Sequence, residues 1–416
     1  KTNNWRVTTD QGDVLTARFV VFATGCLSST NVPHFVGADS FTGATYHTGE
    51  WPHDGVDFTG KSVGLIGTGS SAIQSIPIIA AQAKHLTVFQ RTATYSVPAR
   101  NDSIDKEYVK DVKANYKEFR ELNKQQTAAF GSRIRRGEQS ALEVSEAERR
   151  QEFERRWDEG GFAFLSSYTD FLLNNDANET VAEFVREKIY SIVKDPDTAK
   201  KLLPKQVIGC KRLCLDSGYY DTFNRPNVSL VDVSTDPIER ITENGLVAGG
   251  EDHTFDVLVY ATGFDAMTGS LLKIDIRGRN NQPLAEAWEA GPITYLGLST
   301  AGFPNMFMVS GPGSPSVLTN MIMSIEQHVE WISDCISHIV ASGKTTIETT
   351  DAEQTQWVAF VNAVADMTLY PSCNSWYLGA NVQGKPRVFM PLLGFPTYAD
   401  KCSDVAAKGY EGFVLV

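Results

Sequence analysis

Residues 61–91 read KSVGLIGTGSSAIQSIPIIAAQAKHLTVFQR. The apolar run at 62–66 predicts a strand, the glycines a turn, 70–84 a helix and 86–90 a second strand, which is the βαβ pattern of a parallel sheet. Pro77 is a misfit inside that helix, because it removes a backbone donor and its ring crowds the preceding turn. In Gly67-Thr68-Gly69-Ser70-Ser71-Ala72 the first glycine permits the tight turn and the second lets a pyrophosphate approach the backbone. The small Ala72 lets helix and strand pack closely. Free N–H groups and the dipole at the helix start favour the phosphates. A lone GxGxxA is weak, but its place between strand and helix makes Gly67, Thr68, Gly69, Ser70 and Ser71 the expected dinucleotide-binding residues.

The end of the second strand selects the dinucleotide. An NAD site places a carboxylate about 20 residues on, against the ribose hydroxyls, whereas here Gln90-Arg91-Thr92 puts a guanidinium 24 residues beyond Gly67. Arginine pairs bidentately with a 2′-phosphate that a carboxylate would repel. The inference is NADP(H). The alternative is a solvated arginine at a strand end.

Around this unit lies a chain of 416 residues with 38 Lys+Arg against 50 Asp+Glu, a net charge of −12, and 42% hydrophobic residues. Ordinary globular composition at this length fits two or three domains. An acidic balance with no basic run excludes a nucleic-acid partner that would need cations on phosphates. No apolar stretch approaches the roughly 18–20 residues that span a bilayer, so no membrane partner is expected. The six cysteines have no CxxC and no paired spacing. They are read as belonging to a reducing cytoplasm, without a disulfide framework or a metal site. Residue 1 is Lys, and the sequence enters at once into strand-like residues without a signal-peptide pattern, as a start in the middle of a fold.

Two runs near the start, 5–9 and 16–23, have strand character, with Gln11-Gly12-Asp13 between them, and the second ends in Ala23-Thr24-Gly25. The pattern returns at 254–260, ending in Ala261-Thr262-Gly263 after a hairpin-like Glu243-Asn244-Gly245. Any buried strand can end at glycine, but two strand-then-ATG copies suggest two dinucleotide-binding lobes. Residues 101–204 are charged and helix-favouring, too charged to be the core. Ser145 and Glu148 have capping-box spacing, and Val181, Phe184, Val185, Ile189 and Ile192 repeat at helical spacing. Further on come an expected strand at 273–277, an apolar segment at 306–309 and a helix at 321–340. The buried side of that helix should carry Ile325, His328, Val329, Ile332, Cys335, Ile336 and Ile339. The stretch 375–398 is rich in Gly, Pro and aromatics, as loops over active sites often are.

Just upstream of the βαβ unit stands Phe41-x-Gly43-x-x-x-His47-x-x-x-Trp51-Pro52. Taken alone, a histidine among aromatics is more often structural. The full spacing resembles the FxGxxxHxxxWP fingerprint of type I Baeyer–Villiger monooxygenases, and as in that family it precedes the NADPH-binding glycine turn. The segment Lys211-Arg212-Leu213-Cys214, with Gly218-Tyr219-Tyr220 and Phe223-Asn224-Arg225-Pro226-Asn227-Val228, is similar to the family's KR loop. ATGFDA (261–266), KIDIRG (273–278), YLGLSTAGFPN (295–305), GPGSPS (311–316), SIEQHVEW (324–331) and SWYLGAN (375–381) resemble the phenylacetone monooxygenase branch more closely than the cyclohexanone branch.

The resemblance implies an α/β fold of the flavin monooxygenase type: two Rossmann-like lobes with a helical insertion, the first lobe incomplete. The expected division is 1–50 as the remainder of an FAD-binding lobe and 51–260 as the NADP lobe, with the insertion at about 101–204. Residues 261–416 return to the FAD lobe and the substrate pocket. In that family NADPH reduces FAD, O2 adds to give a peroxyflavin, and the peroxide attacks a ketone to yield an ester or lactone. Arg212 matches the catalytic arginine, a fixed positive charge that stabilises developing anions; outside the family, Lys211-Arg212 would read as a surface basic pair. Lys211 matches a residue that joins Arg91 on the 2′-phosphate, with Thr92 and Gln74 nearby. Trp376 matches an NADP-contacting tryptophan, Met321 a residue lying against FAD through its backbone, and Ser316, Val317, Leu318 and Thr319 a substrate-pocket loop suited to a small hydrophobic ketone. His47 matches a residue that ties the hinge between domains. The family's own N-terminal GxGxxG unit has no counterpart in these residues, so a missing N-terminal segment is an expected partner. The competing readings are a flavin monooxygenase acting on amines or sulfides, and a silent NADP-binding module that needs another chain.

Overall fold

The computed structural model describes residues 3–131, 136–380, 382, 384–385 and 392–416. Of the loop stretch at 375–398, positions 381, 383 and 386–391 therefore lie outside the described residues. The chain divides into two compact units. One comprises Lys1–Ser29, Ile104–Arg133 and Asp265–Val416, the other Thr30–Ser103 and Ile134–Phe264. The division differs from the expected one in three places: residues 30–50 and 261–264 go with the glycine turn, and 104–133 of the helical stretch go with the other unit.

The unit holding the glycine turn is built on a five-stranded parallel sheet. Its strand order is Ala44–His47, Val257–Tyr260, Ser62–Ile66, His85–Gln90, Val228–Asp232. Val63, Leu65, Leu86, Val88 and Val259 are fully buried, as a parallel sheet covered on both faces requires. Each such side chain contributes about 1.5–3 kcal/mol over leaving it in water. The helix Ser70–Gln82 runs unbroken through Pro77 and buries Ala72, Ile73, Ile76, Ile79 and Ala80. The strand expected at 254–260 begins only at Val257. Glu251–Thr254 belongs instead to an antiparallel sheet with Gly245–Ala248 and Ile238–Thr242, whose hairpin turns at Glu243-Asn244.

The charged stretch is amphipathic rather than peripheral. Ser145 Oγ accepts from Glu148 N–H and Glu148 Oε2 from Ser145 N–H, closing the capping box of the helix Glu146–Glu159. Its outer face carries ion pairs such as Arg155–Glu159, while Phe153, Arg156 and Trp157 turn inward. Phe153 stacks 5.3 Å from Phe184 of the helix Asn175–Ile192, and both rings join the core that covers the sheet. So this stretch does supply core, against its composition.

In the other unit, Trp5–Thr8 and Val14–Ala17 form an antiparallel hairpin. The single strand expected at 16–23 is broken at Arg18-Phe19, and Val20–Phe22 pairs in parallel with Met306–Met308. The two ATG turns thus end strands of different units. No strand forms at 273–277: the chain leaves a short helix, Gly269–Leu272, and makes a single bridge from Arg277 to Pro283. The helix Met321–Ala341 buries Met323, Ser324, His328, Trp331, Ile332, Cys335 and Ile339, while Ile325 and Val329 are exposed. Cys26, Cys214, Cys335 and Cys402 are free thiols. Cys210 and Cys373 are in disulfide form, which corrects the reading of six unpaired cysteines. Among the described residues no helix is long and apolar enough to cross a membrane, and no group of three or more His, Cys, Asp or Glu side chains could hold a metal ion.

Candidate active site

Gly67 carries φ +114°, and a Cβ there would lie 2.4 Å from the Ala261 carbonyl oxygen, so only glycine fits between the first strand and the ATG turn. Gly69 differs: nothing lies within 4 Å of where its Cβ would be, and no side chain caps the helix that it opens. That open cradle over uncapped amides fits a pyrophosphate. The hydroxyls of the turn are already engaged by protein. Thr68 Oγ1 donates to Thr92 O at 2.8 Å, Ser71 Oγ lies 3.0 Å from Thr48 Oγ1, and Ser70 Oγ lies 3.1 Å from Cys214 Sγ. Backbone N–H groups, rather than these hydroxyls, are left for phosphate.

At the strand end Arg91 and Thr92 are exposed, as is Gln74 on the helix. Lys211 is half-buried, and both burial and the charge of Arg91 push its ammonium below the usual lysine range. Two cations that destabilise each other, neither paired to a carboxylate among the described residues, fit a dianionic 2′-phosphate. Arg212 is half-buried and has no carboxylate partner among the described residues; its guanidinium sits over the Phe162 ring, 5.4 Å from the centroid. The structure thus gathers Gly67–Ser71, Gln74, Arg91, Thr92, Lys211 and Arg212 in one unit.

The fingerprint residues lie in the same unit. Gly43 is forced by close approach, since a Cβ would fall 2.5 Å from Asp256 O and 2.6 Å from the Phe41 ring. Trp51 packs between Tyr46 and Phe58, with Pro52 beside it half-buried. His47 ends the edge strand, buried. Its Nδ1 accepts from Gly49 N–H at 3.0 Å and its Nε2 lies 3.4 Å from Thr262 Oγ1, so the fingerprint is tied to the second ATG. Burial holds its imidazole below the ordinary histidine range, with Glu50 opposing.

In the other unit the remaining site residues converge. Cys26, Ala266, Met267, Val317 and Tyr377 form a buried cluster against which Leu318, Met321 and Trp376 pack. Ser316 Oγ reaches Met267 Sδ at 3.8 Å, and Thr319 and Ser324 hydroxyls lie 2.5 Å apart. Met321 is the first residue of its helix, and Asn320 caps the next amide, leaving the Met321 N–H without an acceptor among the described residues. A free main-chain donor fits a flavin edge. Trp376 is half-buried, 4.4 Å from the Tyr377 ring.

The chain is 44% identical over 413 residues to cyclohexanone 1,2-monooxygenase of Acinetobacter sp, covering 98% of this chain and 75% of that protein. It is 42% identical over 418 residues to a Baeyer–Villiger monooxygenase of Pseudooceanicola batsensis, covering 100% and 76%. An oxidized steroid monooxygenase bound to NADP superposes with a TM-score of 0.92 at 49% identity, over 100% of this chain and 78% of that one. The chain belongs to the Baeyer–Villiger monooxygenases. No protein-family model matches it. This Baeyer–Villiger chain spans about three quarters of the length of those relatives. Sequence reading missed Cys26 and Met267 packed against Ser316–Leu318, and the contact of Cys214 with Ser70 and the Arg212 carbonyl. Each of Cys26, Met267 and Cys214 directly follows or lies within a quoted motif, and only spatial packing distinguishes it from an ordinary core residue.

Proposed function

We propose that the protein is an NADPH- and FAD-dependent monooxygenase that inserts one oxygen atom of O2 next to the carbonyl of a small hydrophobic ketone, giving an ester or lactone. Within the family we place it nearest the phenylacetone branch, on the motifs at 261–266, 273–278, 295–305, 311–316, 324–331 and 375–381. We assign NADP to the unit of the glycine turn, FAD and substrate to the unit of Met321. Bound FAD supplies the redox chemistry, accepting hydride from NADPH and activating O2.

The chain's own residues do the rest. Amides at Gly69–Ser71 hold the pyrophosphate, and Arg91 with Lys211 holds the 2′-phosphate, with Gln74 and Thr92 at its margin and Trp376 against the nucleotide. Arg212 is a fixed cation that cannot lose its proton at working pH, and it stabilises negative charge developing on the substrate oxygen. Ser316, Val317, Leu318 and Thr319 exclude water from the ketone. The observation carrying this reading is the unpaired cation set: Arg91, Lys211 and Arg212 have no carboxylate partner within 4 Å among the described residues.

In the FAD-loaded full-length protein, Arg212→Ala should lower ester formation by about 10²–10³-fold, with anaerobic reduction of FAD by NADPH largely retained. An unchanged ester yield removes Arg212 from that role. A holoenzyme inert to ketones but active on sulfides or amines overturns the substrate class.

A further inference from the structure

The thiol of Cys214 stands between two parts of the site. Its Sγ lies 3.1 Å from Ser70 Oγ, at the first helical position of the dinucleotide turn, and 3.6 Å from the main-chain carbonyl oxygen of Arg212. One set of roles satisfies both contacts: the Ser70 hydroxyl donates to sulfur and the thiol donates to Arg212 O. Burial pushes the Cys214 thiol above its ordinary range, so it stays protonated and able to donate.

The contact matters because, between the disulfide-bonded Cys210 and the buried Leu213 side chain, it is the one hydrogen bond that the main chain of residues 211–213 makes among the described residues. The strand Cys214–Asp216 pairs with Ser96–Pro98 only from Cys214 onward, and the Cys214 N–H donates to Tyr95 O at 3.3 Å. Lys211, Arg212 and Leu213 make no backbone–backbone hydrogen bond among the described residues. Among the described residues, the Arg212 guanidinium has only the Phe162 ring beneath it. Anchored only through Cys210 and the Leu213 side chain, the Lys211-Arg212 peptides have no ladder bonds, and without the thiol they would sample several conformations, each carrying the guanidinium elsewhere.

We infer that Cys214 is a positioning residue: the relay from Ser70 through the Cys214 thiol to the Arg212 carbonyl fixes the arginine's main chain against the nucleotide-binding turn. The inference rests on the catalytic reading of Arg212. A small displacement of a catalytic group slows its own step while leaving the nucleotide's contacts in place, so the defect belongs to oxygen transfer rather than to nucleotide binding.

The test uses the full-length FAD enzyme with a ketone that it turns over. Cys214→Val keeps an apolar side chain of similar size and removes the relay, and Cys214→Ser keeps a donor and an acceptor. For Cys214→Val, ester formed per NADPH consumed should fall about three- to tenfold, with hydrogen peroxide released in its place. The KM for NADPH and the anaerobic rate of FAD reduction should stay within about twofold. Cys214→Ser should recover most of the ester yield. A double-mutant cycle with Ser70→Ala should show that, once the thiol is gone, removing the hydroxyl costs little more.

Normal ester yield from Cys214→Val overturns the proposal, and so does an equal loss in Cys214→Ser and Cys214→Val. If Cys214→Val fails to fold, the cycle is run with Cys214→Ala, and additive losses overturn it. Arg212→Ala is measured alongside. If that variant keeps its ester yield, the catalytic reading fails. If it loses the yield while the Cys214 variants do not, only the relay fails.

Discussion

His328 shows how a side chain outside the chemistry sets its acid limit. It is fully buried; its Nδ1 accepts from Ser310 N–H at 3.0 Å, and its Nε2 lies 3.1 Å from Tyr398 OH, which donates to Leu296 O. With Nδ1 accepting, Nε2 carries the proton, and the ring fits as neutral imidazole alone. Burial accordingly pushes its pKa down to about 4. The unfolded chain takes up that proton near pH 6.5 and the native one only near pH 4, so unfolding gains a proton in between. Stability is whole above pH 6.5, declines as pH falls through the window, and has lost ~3 kcal/mol once pH passes the folded value. His328→Gln should therefore flatten the dependence of the urea midpoint on pH between 6.5 and 4. An acid limb as steep as the parent's would show that other groups set it.

At the scale of elements, the glycine turn makes two kinds of demand that one substitution separates. Gly67→Ala places a Cβ 2.4 Å from Ala261 O at φ +114°; we expect a loss of about 2–4 kcal/mol from strain and displaced backbone. Gly69→Ala meets open space at φ −81°, so its thermal midpoint should drop by no more than about 1 kcal/mol's worth of helix capping. Its KM for NADPH should nevertheless rise at least about tenfold, because the new methyl occupies the phosphate's approach. Parallel melting curves and NADPH titrations decide it: equal damage to stability in both variants would mean that the second glycine is structural too.

This turn was legible because everything it needs is local, within one strand, one turn and one helix start; the capping box at Ser145 was legible for the same reason. Pairing between distant strands was not. Nothing near residue 257 tells that Val257–Tyr260 inserts between Ala44–His47 and Ser62–Ile66, or that Glu251–Thr254 turns away into another sheet. The buried face of Met321–Ala341 was legible as a stripe through His328, Ile332, Cys335 and Ile339. Its edge was set by tertiary partners: Trp331 donates to Cys402 O at 2.8 Å and meets the Tyr410 ring edge-on, with Ile325 and Val329 turned outward. Arg91 and Arg212 could be picked out by their places in the sequence, whereas the Cys214 contact needed the fold to bring residues 70 and 214 together.

For the molecule as a whole, charge works in two opposed ways on the same ligand. A net charge of −12 repels a polyanionic dinucleotide at long range, whereas on the proposed reading Arg91 and Lys211 attract its 2′-phosphate at contact. The long-range field repels both NADH and NADPH, NADPH the more because of its extra phosphate, but at contact the two nearby cations outweigh it. The local pair acts on NADPH alone. Exposed Arg91 is open to screening, with a Debye length near 10 Å at 0.1 M salt. Raising ionic strength from about 0.02 to 0.3 M should therefore lower the ratio of kcat/KM for NADPH over NADH by about three- to tenfold. In Arg91→Ala that ratio should start lower and respond more weakly to salt, because half-buried Lys211 is the better shielded of the two. A preference for NADPH that neither salt nor Arg91→Ala alters would place the 2′-phosphate away from this pair, and the end of the second strand would then be a solvated arginine.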